Sequence, residues 1–306
     1  MRTRRPVRAS TQLVAKEVRM QTSDVTVVGL GAMGVTIAGL FRANGMRVTV
    51  WNRSATRVAE EVARGALAAP DVASAFAASP VIVMCVSNDD AVDTILAAPG
   101  ATLAGRTLIQ LTTISPESAR RGARWAREHD GHFLAGAIQA APSQMGHPDT
   151  PVLVSGDRAT WDAQRALLET LAGGLVYLGD DPAAAATMDL ATLSWVYGAM
   201  IGFVHGATIA QKEGLDVATY GRIVRDIGPS FGAFFQHEGA VIQSGDFTVS
   251  ESPLRISVDA TARLLETARA SGLSTEFPAL AAGIFARAAR AGLADREAAA
   301  IIEVMR

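Results

Sequence analysis

Residues 181–214 read DPAAAATMDLATLSWVYGAMIGFVHGATIAQKEG, the longest stretch of this 306-residue chain that a single helix can explain. Asp181 is a preferred capping residue, Pro182 fits the first helical position, and Gly214 is a common helix-ending residue. The pattern therefore predicts a helix over residues 182–213, about 45 Å long at 1.5 Å per residue.

This predicted helix is apolar on every side and contains one isolated carboxylate. Asp189 is the only formally charged side chain between Asp181 and Lys212. A helix that is apolar all round must be covered all round. We therefore expect it at the centre of a second domain and of a subunit interface. Its polar and small residues favour a buried helix of a soluble protein over a membrane span.

Length and composition predict two domains, since 49% of the residues are apolar. The formal charge is −2, but residues 1–19 carry six basic groups and one acidic group, which leaves −7 for the remainder. This balance excludes a general affinity for nucleic acid or an anionic membrane. Residues 1–19, which precede Met20, are expected to be a disordered extension or an over-extended start, with a targeting peptide as the alternative. The single cysteine, Cys85, excludes an intramolecular disulfide and indicates a cytoplasmic protein.

A glycine-rich turn follows the first predicted strand. Val25–Val28 has the pattern of a buried strand, a helix is expected over Val35–Ala43, and the turn between them is Gly29-Leu30-Gly31-Ala32-Met33-Gly34. The first glycine permits the turn, the second lets backbone N–H groups approach a pyrophosphate, and the third allows close packing. Such turns also occur as plain connectors. Here a second strand, Arg47–Trp51, follows, and the context predicts a dinucleotide site.

The residues after that second strand indicate which dinucleotide binds. An NAD site usually has a carboxylate there for the ribose 2′-hydroxyl, whereas this chain has Asn52, Arg53 and Ser54, with Arg57 one turn later. Guanidinium, amide and hydroxyl donors suit a 2′-phosphate. We predict NADP(H) rather than NAD(H). An ordinary solvated helix start, capped by Ser54, is the alternative.

Strands and helices continue to alternate up to residue 181, and helices alone follow. Further strands are predicted at Val81–Val86, Thr107–Leu111, Phe133–Ile138, Val152–Ser155 and Val176–Leu178. Loops at the carboxyl ends of such strands surround a bound dinucleotide, which assigns Cys85, Val86, Ser87, Thr112 and Thr113 to the cofactor site. The loop over residues 139–150 is long enough to be functional. Later helices are expected at Val217–Ile227, Phe231–Gln243, Leu254–Ala270, Ala279–Ala291 and Asp295–Met305.

Several of these motifs together resemble the β-hydroxyacid dehydrogenase superfamily. They are the glycine-rich turn, the loop LTTISPE at 111–117, and AGAI at 135–138 with Pro142 and Gly146. Within the superfamily the chain is most similar to the NADPH-dependent imine reductases, through WNRS at 51–54, LGDDP at 178–182 and MDLATL at 188–193. The resemblance implies an α/β fold: a Rossmann-like NADP(H)-binding domain over 20–181, then a long interdomain helix and an all-helical substrate and dimerisation domain over 182–306.

Asp189 falls where hydroxyacid dehydrogenases of the superfamily have their catalytic lysine. Carbonyl reduction builds negative charge on oxygen, which an ammonium group stabilises, whereas imine reduction usually starts from a cationic iminium, which a carboxylate stabilises. The resemblance therefore implies NADPH-dependent reduction of cyclic imines or iminium ions to amines, with Asp189 as iminium anchor or proton donor. The alternative is a solvated acid, tolerated near a helix start by the helix dipole.

Tyr197 is the second catalytic assignment. It lies about 80° around the predicted helix from Asp189, so both side chains can face one cavity. A tyrosine also occupies this position in the related reductive aminases, but they have an asparagine where this chain has Thr113. That departure argues against efficient coupling of separate ketone and amine. The substrate pocket is assigned to Ile138, Met145, Trp195, Phe231, Phe234 and Phe235, although the helical count gives Trp195 another direction.

Three other functions stay open at this stage. A hydroxyacid dehydrogenase is disfavoured by the missing lysine, and a reductive aminase and a non-catalytic NADP(H)-binding protein are the other two. No metal site is expected. The resemblance also implies a homodimer with active sites shared between chains, because the short later helices cannot cover every side of the long one.

Overall fold

The computed structural model describes residues 23–306, and the extension expected at residues 1–19 lies outside this described part. The chain divides into two compact units, the first ending at Thr192 and the second beginning at Leu193. This division falls inside one continuous helix, α7, which spans Ala184–Lys212.

The first unit is an eight-stranded sheet whose strands alternate with helices. Its strands are β1 (Val25–Val28), β2 (Val48–Trp51), β3 (Leu67–Ala68), β4 (Val81–Met84), β5 (Thr107–Gln110), β6 (His132–Ile138), β7 (Pro151–Gly156) and β8 (Gly174–Tyr177). Its helices are α1 (Ala32–Ala43), α2 (Ala55–Ala63), α3 (Val72–Ala77), α4 (Asp89–Leu96), α5 (Pro116–Glu128) and α6 (Arg158–Glu169).

The strand order identifies where this sheet binds ligands. It runs β3-β2-β1-β4-β5-β6-β7-β8, and among the eight described strands β6 and β7 form the only antiparallel pair. The chain proceeds outward from β1 through β2 and β3, then returns to the other side of β1 as β4. Such a reversal opens a crevice at the carboxyl ends of β1 and β4, where dinucleotides bind in folds of this kind. The predicted Rossmann-like fold is confirmed.

Alternating side chains of the strands build two apolar cores, one on each face of the sheet. On β4, Ile82 and Met84 belong to one cluster of buried residues. Val81 and Val83 belong to the other. Because neighbouring strand residues point to opposite faces, both faces are covered. This explains why the strands are continuous apolar runs rather than alternating ones.

The second unit is helical. After the end of α7 it consists of α8 (Val217–Ser244), α9 (Leu254–Ala270), α10 (Glu276–Arg290) and a 3-10 segment, Ala298–Val304. Its core includes Val241, Phe247 and Leu254. Glu297 is fully buried and accepts hydrogen bonds from the backbone N–H groups of Glu251 (2.8 Å) and Ser252 (2.7 Å). This carboxylate ties the segment before α9 to the C-terminal segment.

Two helix predictions in the second unit are wrong. The expected break at Gly228-Pro229 does not occur, and α8 runs continuously through Pro229. One internal proline costs about 3 kcal/mol, and the regular helix on both sides outweighs it. The helix expected over Asp295–Met305 is the 3-10 segment instead, in which Ala300 N–H donates to the Glu297 carbonyl. Strand ends differ from the predictions by one or two residues, as is usual for boundaries.

Helix α7 leaves much of its apolar surface uncovered within one chain. Trp195 is 60% exposed, Ile201 56% and Val204 52%. By length and composition alone the helix could cross a membrane. Exposed apolar area of this extent normally marks an interaction surface. The expectation that something outside the chain covers this helix stays a prediction.

Candidate active site

The glycine-rich turn connects β1 to α1 with no room for side chains at two of its three glycines. Gly29 has φ +100°, and a Cβ there would lie 2.1 Å from the Cys85 carbonyl oxygen. A Cβ on Gly34 would lie 2.0 Å from the Gly29 carbonyl oxygen. Both distances are far inside van der Waals contact. The first and third glycines are therefore required by the turn and by its packing against β4.

The middle glycine faces open space, which is the arrangement a bound pyrophosphate needs. A Cβ on Gly31 would have no described heavy atom within 4 Å. The first turn of α1 contains no acidic residue, and its N-cap has no side-chain hydrogen bond. Its backbone N–H groups and the positive end of the helix dipole are free for an anion. The turn thus fits a dinucleotide.

The residues after β2 pack against this turn. Asn52 Oδ1 accepts a hydrogen bond from Leu30 N–H at 3.1 Å, and Arg57 Nη1 donates to the Leu30 carbonyl oxygen at 2.9 Å. Arg53 and Ser54 are exposed. Ser54 occupies the N-cap position of α2, but its hydroxyl makes no capping bond. The alternative of Ser54 as an ordinary cap is not supported, and its hydroxyl is available to a phosphate.

We expect Arg53→Ala to raise the KM for NADPH about tenfold and to leave the KM for NADH unchanged. A charge-assisted hydrogen bond to a phosphate contributes about 1.5–3 kcal/mol. NADH has no 2′-phosphate, so the substitution removes no such hydrogen bond from its binding. Steady-state kinetics with both cofactors measure the effect, with NADH as the internal control. An equal increase in KM for the two cofactors would contradict the assignment of Arg53 to the 2′-phosphate.

The loops after β4 and β5 are tied together. Val86 N–H donates to Thr112 Oγ1 at 2.9 Å, and Thr112 is only 2% exposed. Ser87 and Thr113 are exposed beside them. Burial raises the pKa of the Cys85 thiol to about 11, so this side chain is a neutral wall residue and not a nucleophile. These five predicted cofactor residues lie along one edge of the sheet.

Asp189 lies in the second turn of α7 and is 4% exposed. Its Oδ1 atom accepts a hydrogen bond from Gln139 Nε2 at 2.6 Å. Burial raises the pKa of Asp189, and the hydrogen bond from Gln139 partly opposes this by favouring the ionised form. The alternative of a solvated acid at a helix start does not hold, because the carboxylate is buried. A buried, perturbed carboxylate is a common mark of a functional site.

Gln139 is a site residue that the sequence reasoning missed. It directly follows β6, and its backbone N–H donates to the Pro151 carbonyl oxygen at 3.0 Å. Its Oε1 atom accepts from Thr192 Oγ1 at 2.7 Å. Its place at the start of the long 139–150 loop was the only available signal, because its contacts lie about fifty residues away in sequence.

The remaining predicted pocket residues have different environments. In the first unit, Ile138 is half-buried, and Met145 is 6% exposed and packs in a core cluster of the sheet. In the second unit, Tyr197 is 64% exposed, and Phe231 and Phe235 are each 50% exposed. The rings of Phe231 and Phe235 lie 6.4 Å apart and those of Phe234 and Phe235 lie 5.8 Å apart. The three phenylalanines form an accessible aromatic group rather than a closed core, and Trp195 is likewise exposed.

Comparison with protein families matches nearly all of the described chain. Residues 24–179 match the NAD binding domain of 6-phosphogluconate dehydrogenase, and residues 181–306 match the C-terminal domain of NADPH-dependent reductive aminase-like proteins. An NADPH-dependent reductive aminase from Aspergillus oryzae is 26% identical over 92% of this chain and 97% of its own length.

Solved structures show the same relationship. A reductive aminase from Aspergillus terreus, in complex with NADPH and ethyl levulinate, is 32% identical with a TM-score of 0.87, covering 94% of this chain and 100% of the other. An imine reductase from Streptomyces aurantiacus is 31% identical with a TM-score of 0.86, covering 92% and 99%. The chain therefore belongs to the NADPH-dependent imine reductase and reductive aminase family of oxidoreductases, within the 6-phosphogluconate dehydrogenase-like superfamily.

Proposed function

We propose that this protein reduces C=N bonds, converting cyclic imines and iminium ions to amines with NADPH. The observation that carries the proposal is the isolated buried carboxylate of Asp189 in α7. A carboxylate stabilises a cationic iminium and would oppose the negative charge that develops on a reduced carbonyl oxygen. Lys212, the only lysine of α7, is the last residue of that helix and cannot replace Asp189.

The cofactor would be held at the edge of the sheet described above. The turn over residues 29–34 and the start of α1 would bind the pyrophosphate, and Asn52, Arg53 and Arg57 would bind the 2′-phosphate. Bound NADPH supplies the hydride. The protein's own contribution is to orient the imine and to stabilise its positive charge.

Two roles are open to Asp189, and its protonation decides between them. The ionised carboxylate anchors an iminium by charge, whereas the protonated acid can donate a proton to a neutral imine. Burial raises the pKa of Asp189, which favours the protonated acid of the second role. The hydrogen bond from Gln139 lowers the pKa and favours the ionised form of the first role. We infer the anchoring role for iminium ions, because such a substrate needs no proton from the acid, and the Gln139 donor at 2.6 Å supports the ionised carboxylate in that role. Tyr197 would contribute a second polar group to the pocket.

We further propose that the active protein is a cytoplasmic homodimer with shared active sites and no membrane or nucleic-acid partner. The exposed apolar face of α7 supports this proposal, because a second copy can cover it. In such a dimer, Asp189 and the pocket residues over the nicotinamide would come from two chains. The phenylalanines of α8 would then line the pocket.

Reductive amination is the second candidate, and the relatives favour it. The A. oryzae and A. terreus proteins are named reductive aminases. This chain has Thr113 at an exposed position of the loop after β5. The resemblance to the reductive aminases implies an asparagine at this position in that family. The main proposal therefore concerns a preformed imine, and coupling of ketone and amine is an additional activity to measure.

Oxidation of NADPH with 2-methyl-1-pyrroline tests the proposal. We expect steady turnover with this cyclic imine and much slower turnover with a ketone and near-equimolar amine. Faster turnover of the ketone and amine would make the protein a reductive aminase. Reduction of NADP+ by 3-hydroxy acids without imine turnover would make it a hydroxyacid dehydrogenase, and NADPH binding without any turnover would make it a binding protein.

A further inference from the structure

Gln139 contacts Asp189 in a way that the proposed reaction can use. We propose that Gln139 is a positioning residue, whose side-chain amide holds one oxygen of Asp189 in place and leaves the other for the substrate nitrogen. The inference rests on the proposed function, because Gln139 would act only through Asp189.

One oxygen of the Asp189 carboxylate is hydrogen-bonded to the protein, and the other is available to the substrate. Gln139 Nε2 lies 2.6 Å from Asp189 Oδ1. In the part of the chain that the structure describes, no other group donates a hydrogen bond to this carboxylate. Asp189 Oδ2 thus keeps its acceptor capacity. A carboxylate with one fixed oxygen and one free oxygen is prepared to bind a single N–H group.

The Asp189 carboxylate sets the direction in which the Gln139 amide points, and Thr192 is placed to support that direction. Its hydroxyl lies 2.7 Å from Gln139 Oε1 and 2.8 Å from the Asp189 carbonyl oxygen. Reversing the amide would place its oxygen against an ionised carboxylate, two acceptors with no proton between them. With the hydrogen bond from Thr192 to Oε1, Nε2 is the atom that faces Asp189. The backbone of Gln139 is held in turn by the Pro151 carbonyl oxygen.

The same contact also lowers the pKa of Asp189, against the larger effect of burial. Burial raises the pKa of Asp189 and the Gln139 donor lowers it, with no contribution from a charged neighbour in the described part of the chain. Removing the Gln139 donor leaves only the effect of burial, so the pKa of Asp189 rises. The ionised form that anchors an iminium is then lost at a higher pH than in the wild type.

The test is Gln139→Met, which keeps the length of the side chain and removes its hydrogen bonds. The substrate is 2-methyl-1-pyrroline, whose iminium N–H can bind Asp189 Oδ2, and comparison with the wild type on the same substrate separates titration of the enzyme from titration of the imine. We expect kcat to fall about tenfold, the loss of one hydrogen bond to a charged group. The acidic limb of the kcat profile should move to higher pH, and the Kd for NADPH should not change. Wild-type kcat with an unmoved acidic limb would overturn the proposal.

Two further substitutions separate positioning from a general structural effect. Gln144→Met, in the same loop, removes an exposed glutamine whose side chain, within residues 23–306, accepts only from Ala141 N–H. It should leave kcat and the pH profile unchanged. Thr192→Val should shift the acidic limb in the same direction as Gln139→Met, and Thr192→Ser should restore it. If Gln139→Met does not fold, the Thr192 pair decides: wild-type behaviour of Thr192→Val would overturn the proposal.

A double substitution distinguishes failure of this inference from failure of the proposed function. If Gln139 acts through Asp189, Gln139→Met should cause no further loss in an Asp189→Asn background. A further tenfold loss there would show that Gln139 acts independently. Full turnover by Asp189→Asn alone would instead contradict the proposed role of Asp189. An inactive Asp189→Asn with a fully active Gln139→Met would overturn only the Gln139 proposal.

Discussion

Asp189→Asn should lower kcat for a preformed cyclic imine about 100-fold or more, with the Kd for NADPH nearly unchanged. An amide has nearly the same shape as the carboxylate but neither its charge nor its proton, and groups that act mainly in the transition state lower kcat when removed. The side chain is 4% exposed, so water does not substitute for the lost charge. Steady-state kinetics with NADPH, and cofactor binding followed by fluorescence, measure the two quantities.

Asp162→Asn is the matched control for this substitution. Asp162 is an exposed acid of α6 that pairs with Arg158 on the same helix, a kind of contact that contributes little to stability or activity. Its removal should change neither kcat nor cofactor affinity. If Asp189→Asn keeps most of its turnover while folding normally, Asp189 is structural and the anchoring mechanism is wrong.

The parts of the fold that depend on residues close together in the sequence could be predicted from the sequence. One such unit is the apolar run Val25–Val28 followed by the glycine-rich turn and α1. Its glycines are needed for the turn itself, for close approach of a ligand and for packing of the helix on the strand. The long helix α7 was also predicted, within two residues at its start. The fold class followed from features of this kind, the family from the further motifs that resemble the imine reductases, and both are confirmed.

The features that depend on distant partners could not be predicted. Local propensity favoured a break at Pro229, yet α8 continues through it. The contact between Gln139 and Asp189 joins residues about fifty positions apart, and neither periodicity nor spacing indicates such a pair. The sequence identified the carboxylate, and only the structure identified what holds it.

Val204→Arg should abolish the homodimer that we propose. Val204 lies on α7 and is 52% exposed within one chain. If a partner covers it, an arginine there would be buried without a counter-ion, at a cost of about 4 kcal/mol or about a thousandfold in the dimer dissociation constant. Light scattering at micromolar concentration should find the wild type at twice the 31.9 kDa chain mass and the variant at lower mass or aggregated. Imine turnover should be lost with the dimer.

Val62→Arg is the control that separates an interface from ordinary surface. Val62 is 42% exposed on α2, close to the exposure of Val204, but it does not belong to the apolar surface of α7. The same change of residue there should leave mass and activity as in the wild type. Because a partner that binds only the folded chain stabilises it by mass action, the wild-type melting temperature should also rise with protein concentration. A folded, active wild-type monomer at micromolar concentration would rule out the shared site, and the exposed face of α7 would then need another partner.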